Sequence, residues 1–342
     1  MEKKKIAELE KCYAVAPLRY QGRDCFLAAA EKKDRCLLFT ADGTLLDTVW
    51  DGPGGVMSIE QIPGSDGVFL ATQKFYSPND SASARIVIAS PAEGGWKVKP
   101  FYELPFVHRF GILHGGDGQD YLIAATIKSA HAYKDDWTCP GRIWVGALPE
   151  DPLHVDAEHP FTMTPVKSAL YRNHGFFKEA GGQSALFGTD NGVFRVTAPA
   201  KCGEEWTVEQ LLDTPVSDMT MVDLDGDGKE EMLVYAPFHG ENCAVYHEQN
   251  GAYVPVWKCD HPLPFLHAIW GGTLQGIPTA LIGHRGGERD LLMLRWQNGT
   301  YVLSVLDHDV GPANVMVLHQ ADGEAVISAN RETNEVVYLK FS

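Results

Sequence analysis

The sequence predicts an all-β chain folded as a seven-bladed β-propeller of four-stranded blades, and three observations predict it. Helical periodicity is nearly absent, while short β-branched and aromatic runs punctuated by Gly, Asn and Asp recur throughout. The runs "LIAAT" (122–126), "LFGTD" (186–190), "MLVYA" (232–236), "ALIGH" (280–284) and "VISAN" (326–330) align with one another. With "FLAAA" (26–30) and "VFLAT" (68–72) they make seven copies of a unit of roughly 45–50 residues. The last copy ends after three strands, and "KKIAELEK" (4–11) stands ahead of the first full unit at Tyr13 to supply the fourth. Closing one blade with both ends of the chain leaves no open sheet edge.

In chain order the blades are expected at 13–54, 55–106, 107–170, 171–216, 217–265, 266–312 and 313–342 with 4–12, as one domain spanning 1–342. Each unit starts with a strand that lines a central channel, passes a turn rich in Gly and Asp, and adds three more strands. The third unit is the longest because 148–165, "LPEDPLHVDAEHPFTMTP", reads as a proline-rich insertion. Two β-domains divided near 150–170 are the competing architecture.

Composition narrows the partners. Hydrophobic content of 44% with 22% charged residues is ordinary for a soluble globular chain. A net charge of −16 argues against nucleic acid and anionic membranes, both of which need a basic surface. No stretch approaches the roughly 18 uninterrupted apolar residues of a membrane helix. The basic start lacks the apolar run of about 7–15 residues that marks a signal peptide. Seven cysteines, at 12, 25, 36, 139, 202, 243 and 259, are scattered without a C-x-x-C pair, which suits reduced thiols and a cytoplasmic location. A small polar molecule, carbohydrate above all, fits this balance; the oligomeric state stays open.

The turn "DLDGDGKEE" (223–231) places Asp223, Asp225, Asp227 and Glu231 around a sharp turn at Gly228, a set suited to a structural calcium ion. A helix-loop-helix calcium site would need its glutamate at Val234, and strands flank the turn. A solvated acidic turn without metal is the alternative. The spacing resembles the D-x-D-x-D-G-x-x-[DE] loops of FG-GAP and VCBS propellers. That resemblance implies a loop between the first and second strands of a blade, in a structural part.

The repeat alignment exposes a second cluster. The starts of five consecutive first strands carry His108, His174, Asp218, His267 and Asn314. Equivalent positions on innermost strands converge on the axis, so these residues are candidate ligands for Zn²⁺, Mn²⁺ or Fe²⁺. A wet polar channel without metal is the plainer account. Loops between second and third strands share that end of the blades. They hold candidate catalytic groups His131, Lys134, His239, His284 and Arg285, and candidate substrate-binding groups Lys74, Tyr76, Asp135, Asp136, Trp137 and Arg331. No nucleotide-binding loop or G-x-S-x-G elbow occurs.

In blade rhythm and acidic turn the chain distantly resembles the propeller part of aldos-2-ulose dehydratases, which act on anhydrofructose and related keto-sugars with bound metal. The resemblance implies a metal-dependent lyase or isomerase of a keto-sugar. A non-catalytic propeller that binds a saccharide or protein, and a metal-dependent hydrolase of a lactone or phosphoester, are the alternatives.

Overall fold

The computed structural model describes residues 1–321 and 323–341. β1 is Glu2–Glu8. Blade one holds β2 (Cys12–Tyr20), β3 (Arg23–Ala30), β4 (Cys36–Thr40) and β5 (Leu45–Trp50). Blade two holds β6 (Ile59–Gln61), β7 (Phe69–Gln73), β8 (Arg85–Ala92) and β9 (Gly95–Glu103). Blade three holds β10 (Val107–His114), β11 (Asp120–Lys128), β12 (Pro140–Ala147) and β13 (Thr164–Leu170). Blade four holds β14 (Gly175–Lys178), β15 (Ser184–Thr189), β16 (Gly192–Thr197) and β17 (Thr207–Leu212). Blade five holds β18 (Asp218–Val222), β19 (Glu231–Ala236), β20 (Asn242–Gln249) and β21 (Ala252–Lys258). Blade six holds β22 (Leu266–Leu274), β23 (Ile277–His284), β24 (Leu291–Gln297) and β25 (Thr300–Asp307). Blade seven holds β26 (Pro312–Gln320), β27 (Gly323–Asn330) and β28 (Glu335–Phe341), and β1 completes it in the order β1-β28-β27-β26.

The seven four-stranded antiparallel sheets match the expected fold, with one 3₁₀ turn (Pro152–His154) as the helical element among the described residues. β1 pairs with β28 from Glu2–Lys340 to Glu8–Glu335, so the closing strand begins two residues earlier than the expected 4–11. Its outer edge carries Lys3, Lys4 and Lys5, charged side chains that discourage a further strand from adding there. No helix of the described residues is long and apolar enough to cross a membrane.

The second strands are the most buried elements, because blades pack face to face and both faces of an inner strand are covered. Phe26 and Phe39 stack with centroids 5.0 Å apart beside Ile327 and Ala329 of blade seven. The proline-rich insertion joins β12 to β13 within one sheet, and its Val155, Phe161 and Met163 are buried against the core between blades two and three. Phe161 sits 4.8 Å from the Phe101 ring.

One local feature decides what faces the axis. In blades one, three, six and seven the pairing of first and second strands skips one residue: Tyr13, His108, His267 and Ala313. Such a bulge inserts an extra residue and re-aims its side chain. All four skipped residues are buried at the upper end of the channel, opposite the turn 223–231.

Candidate functional site in the channel

The channel is built in two tiers. In the upper one, the bulges of blades one, three and six present Tyr13, His108 and His267, blade four adds His174, and the loop after β19 adds His239. The His108 and His174 rings lie 4.5 Å apart, His174 and His239 5.0 Å, and His239 and His267 5.5 Å. Ligand nitrogens of His174, His239 and His267 all lie within 4.8 Å of one another.

Hydrogen bonds fix the tautomers. His174 Nδ1 lies 3.0 Å from the Ser217 carbonyl, and His267 Nδ1 lies 2.7 Å from that of Ala313. A carbonyl only accepts, so both Nδ1 atoms carry the proton and both Nε2 atoms present a lone pair. The Tyr13 hydroxyl donates to His267 Nε2 at 3.0 Å and lies 3.5 Å from His108 Nε2. His174 Nε2 and His239 Nε2 are buried without a hydrogen-bond partner among the described residues. Orphaned buried nitrogens are costly and rare. These donors fit a divalent transition ion, which takes unprotonated imidazole nitrogen and favours a partner fixing the other ring N–H.

Burial pushes His108, His174 and His267 well below the usual histidine range, and the Arg109 charge adds to this in all three. Burial, then Arg285 and Arg109, lower His239 to about 3. The tier is therefore neutral, as ligation requires.

The lower tier is ionic. Arg109 pairs opposite Ala125, Asp218 opposite Tyr235 and Asn314 opposite Ala329, which are equivalent rungs of their blades. Asp218 Oδ2 lies 3.9 Å from Arg109 Nη2, and Oδ1 accepts from Met219 N at 3.0 Å and Phe176 N at 3.3 Å. Arg109 Nη1 donates to the Met57 carbonyl at 2.9 Å. Burial raises Asp218 to about 6 against the lowering by Arg109 and the two backbone N–H groups. A cavity of about 180 Å³ opens on this tier, lined by Ser58, Glu60, Arg109, Asp218 and Asn314 and touching His267.

The structure thus brings together two of the five expected ligands, His174 and His267, and joins His239 to them in place of the others. His108 sits beside His174 and turns toward Tyr13. Asp218 is engaged by Arg109, and Asn314 by the backbone N–H of Val315 at 3.1 Å. Sequence alignment put His108 and His267 level with Asp218 and Asn314 because it saw no bulge. The inserted residue lifts both histidines by one position and brings Arg109 level with Asp218. Tyr13 and Arg109, neighbours in sequence of positions already aligned, were missed for the same reason.

The loop residues of the upper mouth have other engagements. His284 uses both ring nitrogens inside its own loop, Nδ1 toward Gly286 O at 2.9 Å and Nε2 from Asp290 N at 3.1 Å. Arg285 donates to Glu332 at 2.9 and 2.8 Å and lies over the Phe265 ring. Arg331 pairs with Glu31 and Glu332. Asp136 accepts from Ala132 N and from Thr138 N and Oγ1, closing its turn. Asp135 accepts from Asn79 at 2.7 Å, and Lys134 is exposed. Trp137 is flanked by Lys128 and Arg172 and meets Phe238 edge-on at 5.4 Å. His131 packs on Phe106 at 5.6 Å with its Nδ1 buried and unpartnered among the described residues. Lys74 and Tyr76 are half-buried, their N–H groups bonded to Gly54 O and Asp80 O.

At the lower end, the turn between β18 and β19 gathers Asp223, Asp225, Asp227 and Glu231 with ligand oxygens within 4.8 Å of one another. It occupies the first-to-second-strand position expected of it.

No family model matches the chain, and no curated protein matches it. Among solved structures the chain is similar to the β-propeller domain of Myceliophteria thermophila Cps50 (Swd1), with a TM-score of 0.61 and 12% identity over 100% of both chains. It is similar to streptogramin B lyase, with a TM-score of 0.60 and 12% identity over 99% of this chain and 98% of that one. Likeness at this identity shows the fold alone.

Proposed function

We propose that the chain is a metal-dependent lyase or isomerase of a small keto-sugar-like molecule, with a divalent transition ion held by His174, His239 and His267. One observation carries the proposal: two carbonyls fix the tautomers of His174 and His267, and His174 Nε2 and His239 Nε2 are buried without a hydrogen-bond partner among the described residues. A bound Zn²⁺, Mn²⁺ or Fe²⁺ would supply Lewis-acid polarisation of a substrate carbonyl or hydroxyl.

The remaining chemistry belongs to the lower tier and to Tyr13. Asp218, raised to about 6, is poised to take a proton from the carbon beside a carbonyl near neutral pH. Arg109 holds it in place through the 3.9 Å contact. Tyr13, kept neutral by burial that pushes it up to about 12, offers a hydrogen-bond donor at the same level as the histidines. A cavity of about 180 Å³ is smaller than the roughly 300–1,000 Å³ that drug-sized ligands occupy, which suits one small hydroxylated molecule. That a propeller of this fold is named a lyase supports the scaffold's capacity for such chemistry. Kinship with FG-GAP/VCBS propellers is part of this proposal, carried by the turn 223–231, whose carboxylates alone would favour a structural calcium ion. Seven free cysteines, four of them buried, fit a reducing, cytoplasmic setting.

A second reading has its own observation. The His239 ring is sandwiched between Phe238 at 3.9 Å and Phe265 at 4.5 Å, so the imidazoles could equally form a stacked aromatic plug in a non-catalytic binding propeller. Metal content and absorption-edge measurement of the purified chain separate the two. The metal reading expects a bound transition ion that is lost in His174→Ala and His267→Ala, and keto-sugar turnover that is lost in Asp218→Asn. A parent chain whose transition-metal content is unchanged by His174→Ala establishes the plug instead.

A further inference from the structure

The acidic turn has a neighbour that its own spacing does not contain. His247, on β20, points into it, with Nε2 3.1 Å from Asp227 Oδ2 and 3.8 Å from Glu231 Oε1. Ligand atoms of Asp225, Glu231 and His247 lie within 4.8 Å of one another. His247 Nδ1 lies 3.0 Å from the Glu248 carbonyl, so the ring is held with Nε2 facing the carboxylates. Glu231 is fully buried. Its Oε2 accepts from Leu224 N at 2.6 Å, while Oε1, on the His247 side, has no hydrogen-bond partner among the described residues. A buried carboxylate oxygen left bare beside an imidazole is an incomplete set of contacts.

We infer that Asp225, Glu231 and His247, with Asp227 at the rim, form a mixed nitrogen–oxygen site for a first-row divalent ion of the Mn²⁺ to Zn²⁺ type. Calcium binds through six to eight hard oxygen ligands and gains little from imidazole. Borderline ions accept carboxylate and imidazole together, and at such a site they bind more tightly than alkaline-earth ions. The Glu248 carbonyl supplies the supporting contact that ligating histidines ordinarily have. Access is open: Asp225, Asp227 and His247 line a surface cleft of about 440 Å³ with Trp257, Trp296 and Tyr301. The site lies at the lower end of blade five and shares no residue with the channel histidines.

Calorimetric titration of the full chain with Zn²⁺ and with Ca²⁺ tests this, comparing the parent with His247→Ala and Glu231→Gln. The same titrations in a His174→Ala background remove the channel contribution, so that either site can fail without the other. In that background His247→Ala is expected to weaken Zn²⁺ binding by at least the roughly 10–100-fold that loss of a supporting partner causes, and to leave Ca²⁺ binding unchanged. Glu231→Gln is expected to weaken both ions. Tighter binding of Ca²⁺ than of Zn²⁺, or parental Zn²⁺ affinity in His247→Ala, overturns the assignment. His247→Phe, which keeps the ring and loses the donor, replaces His247→Ala should that variant fail to fold.

Discussion

Four imidazoles crowd the upper channel, and four carboxylates crowd the turn between β18 and β19. In the first group His108, His174 and His267 are buried and His239 half-buried, and burial lowers their charge: all four are pushed below the ordinary histidine range. In the second, three aspartates stay at the solvent edge, while buried Glu231 is raised to about 7, first by burial. His247, which burial lowers, is raised overall by its hydrogen bond to Asp227 and the nearby carboxylates. Desolvation disfavours the charged form in both places. An uncharged imidazole, however, still packs as an aromatic ring, whereas a carboxylate needs a cation or a proton. Crowding therefore leaves uncharged rings that can stack or offer lone pairs in the channel, and carboxylates short of counter-charge at the turn.

A charge forced into each region should break this contrast most sharply. His174→Lys places an unpaired cation among buried rings and is expected to cost on the order of 3–5 kcal/mol, read from the urea midpoint. Asp225→Lys relieves repulsion at a solvated turn and should be neutral or stabilising in chelator. Equal losses in the two variants would erase the distinction.

Proton linkage tests it next. Each channel histidine has a folded pKa below its unfolded 6.5, so its contribution is present above 6.5 and is lost as pH falls toward the folded value. Below 6.5 each should add about 1.4 kcal/mol per pH unit to the fall in stability. Urea midpoints from pH 7.5 to 5 should fall steeply in the parent and less so in His239→Phe. An unchanged slope would show that His239 is not held neutral.

Glu231 works in the opposite direction. Its folded pKa of about 7 lies above the usual 4.5, so its contribution is complete below 4.5 and is lost as pH rises through 7. In chelator at pH 8, Glu231→Gln should therefore be more stable than the parent by about 1 kcal/mol. The smallest effects belong to the upper loops. Lys134→Ala and Asp135→Ala should stay within about 0.5 kcal/mol by thermal melts and leave metal content unchanged.

What could be read from the sequence follows from the repeat. Seven copies of one strand and a missing fourth strand at the end are signals spread over the whole chain, and the structure agrees with both. Channel residues depend on a register that four bulges shift by one, so His108 and His267 read one rung too low, and Tyr13 and Arg109 do not stand out in the sequence. His239 was assigned to the mouth as a loop residue, although its loop folds inward between Phe238 and Phe265. His247 reaches the acidic turn from β20, a contact between strands that the spacing of the turn does not encode. Asp136 and His284 illustrate the converse: a polar side chain that closes its own loop has the same composition signal as one that meets a ligand.

The pairing of β1 with β28 also imposes an order in time. During synthesis β1 has no partner until β28 has left the ribosome, so this lysine-rich strand waits through the production of six blades. The ring cannot become a closed cooperative unit before then. Any change in β1 or in β28 acts on the same seam.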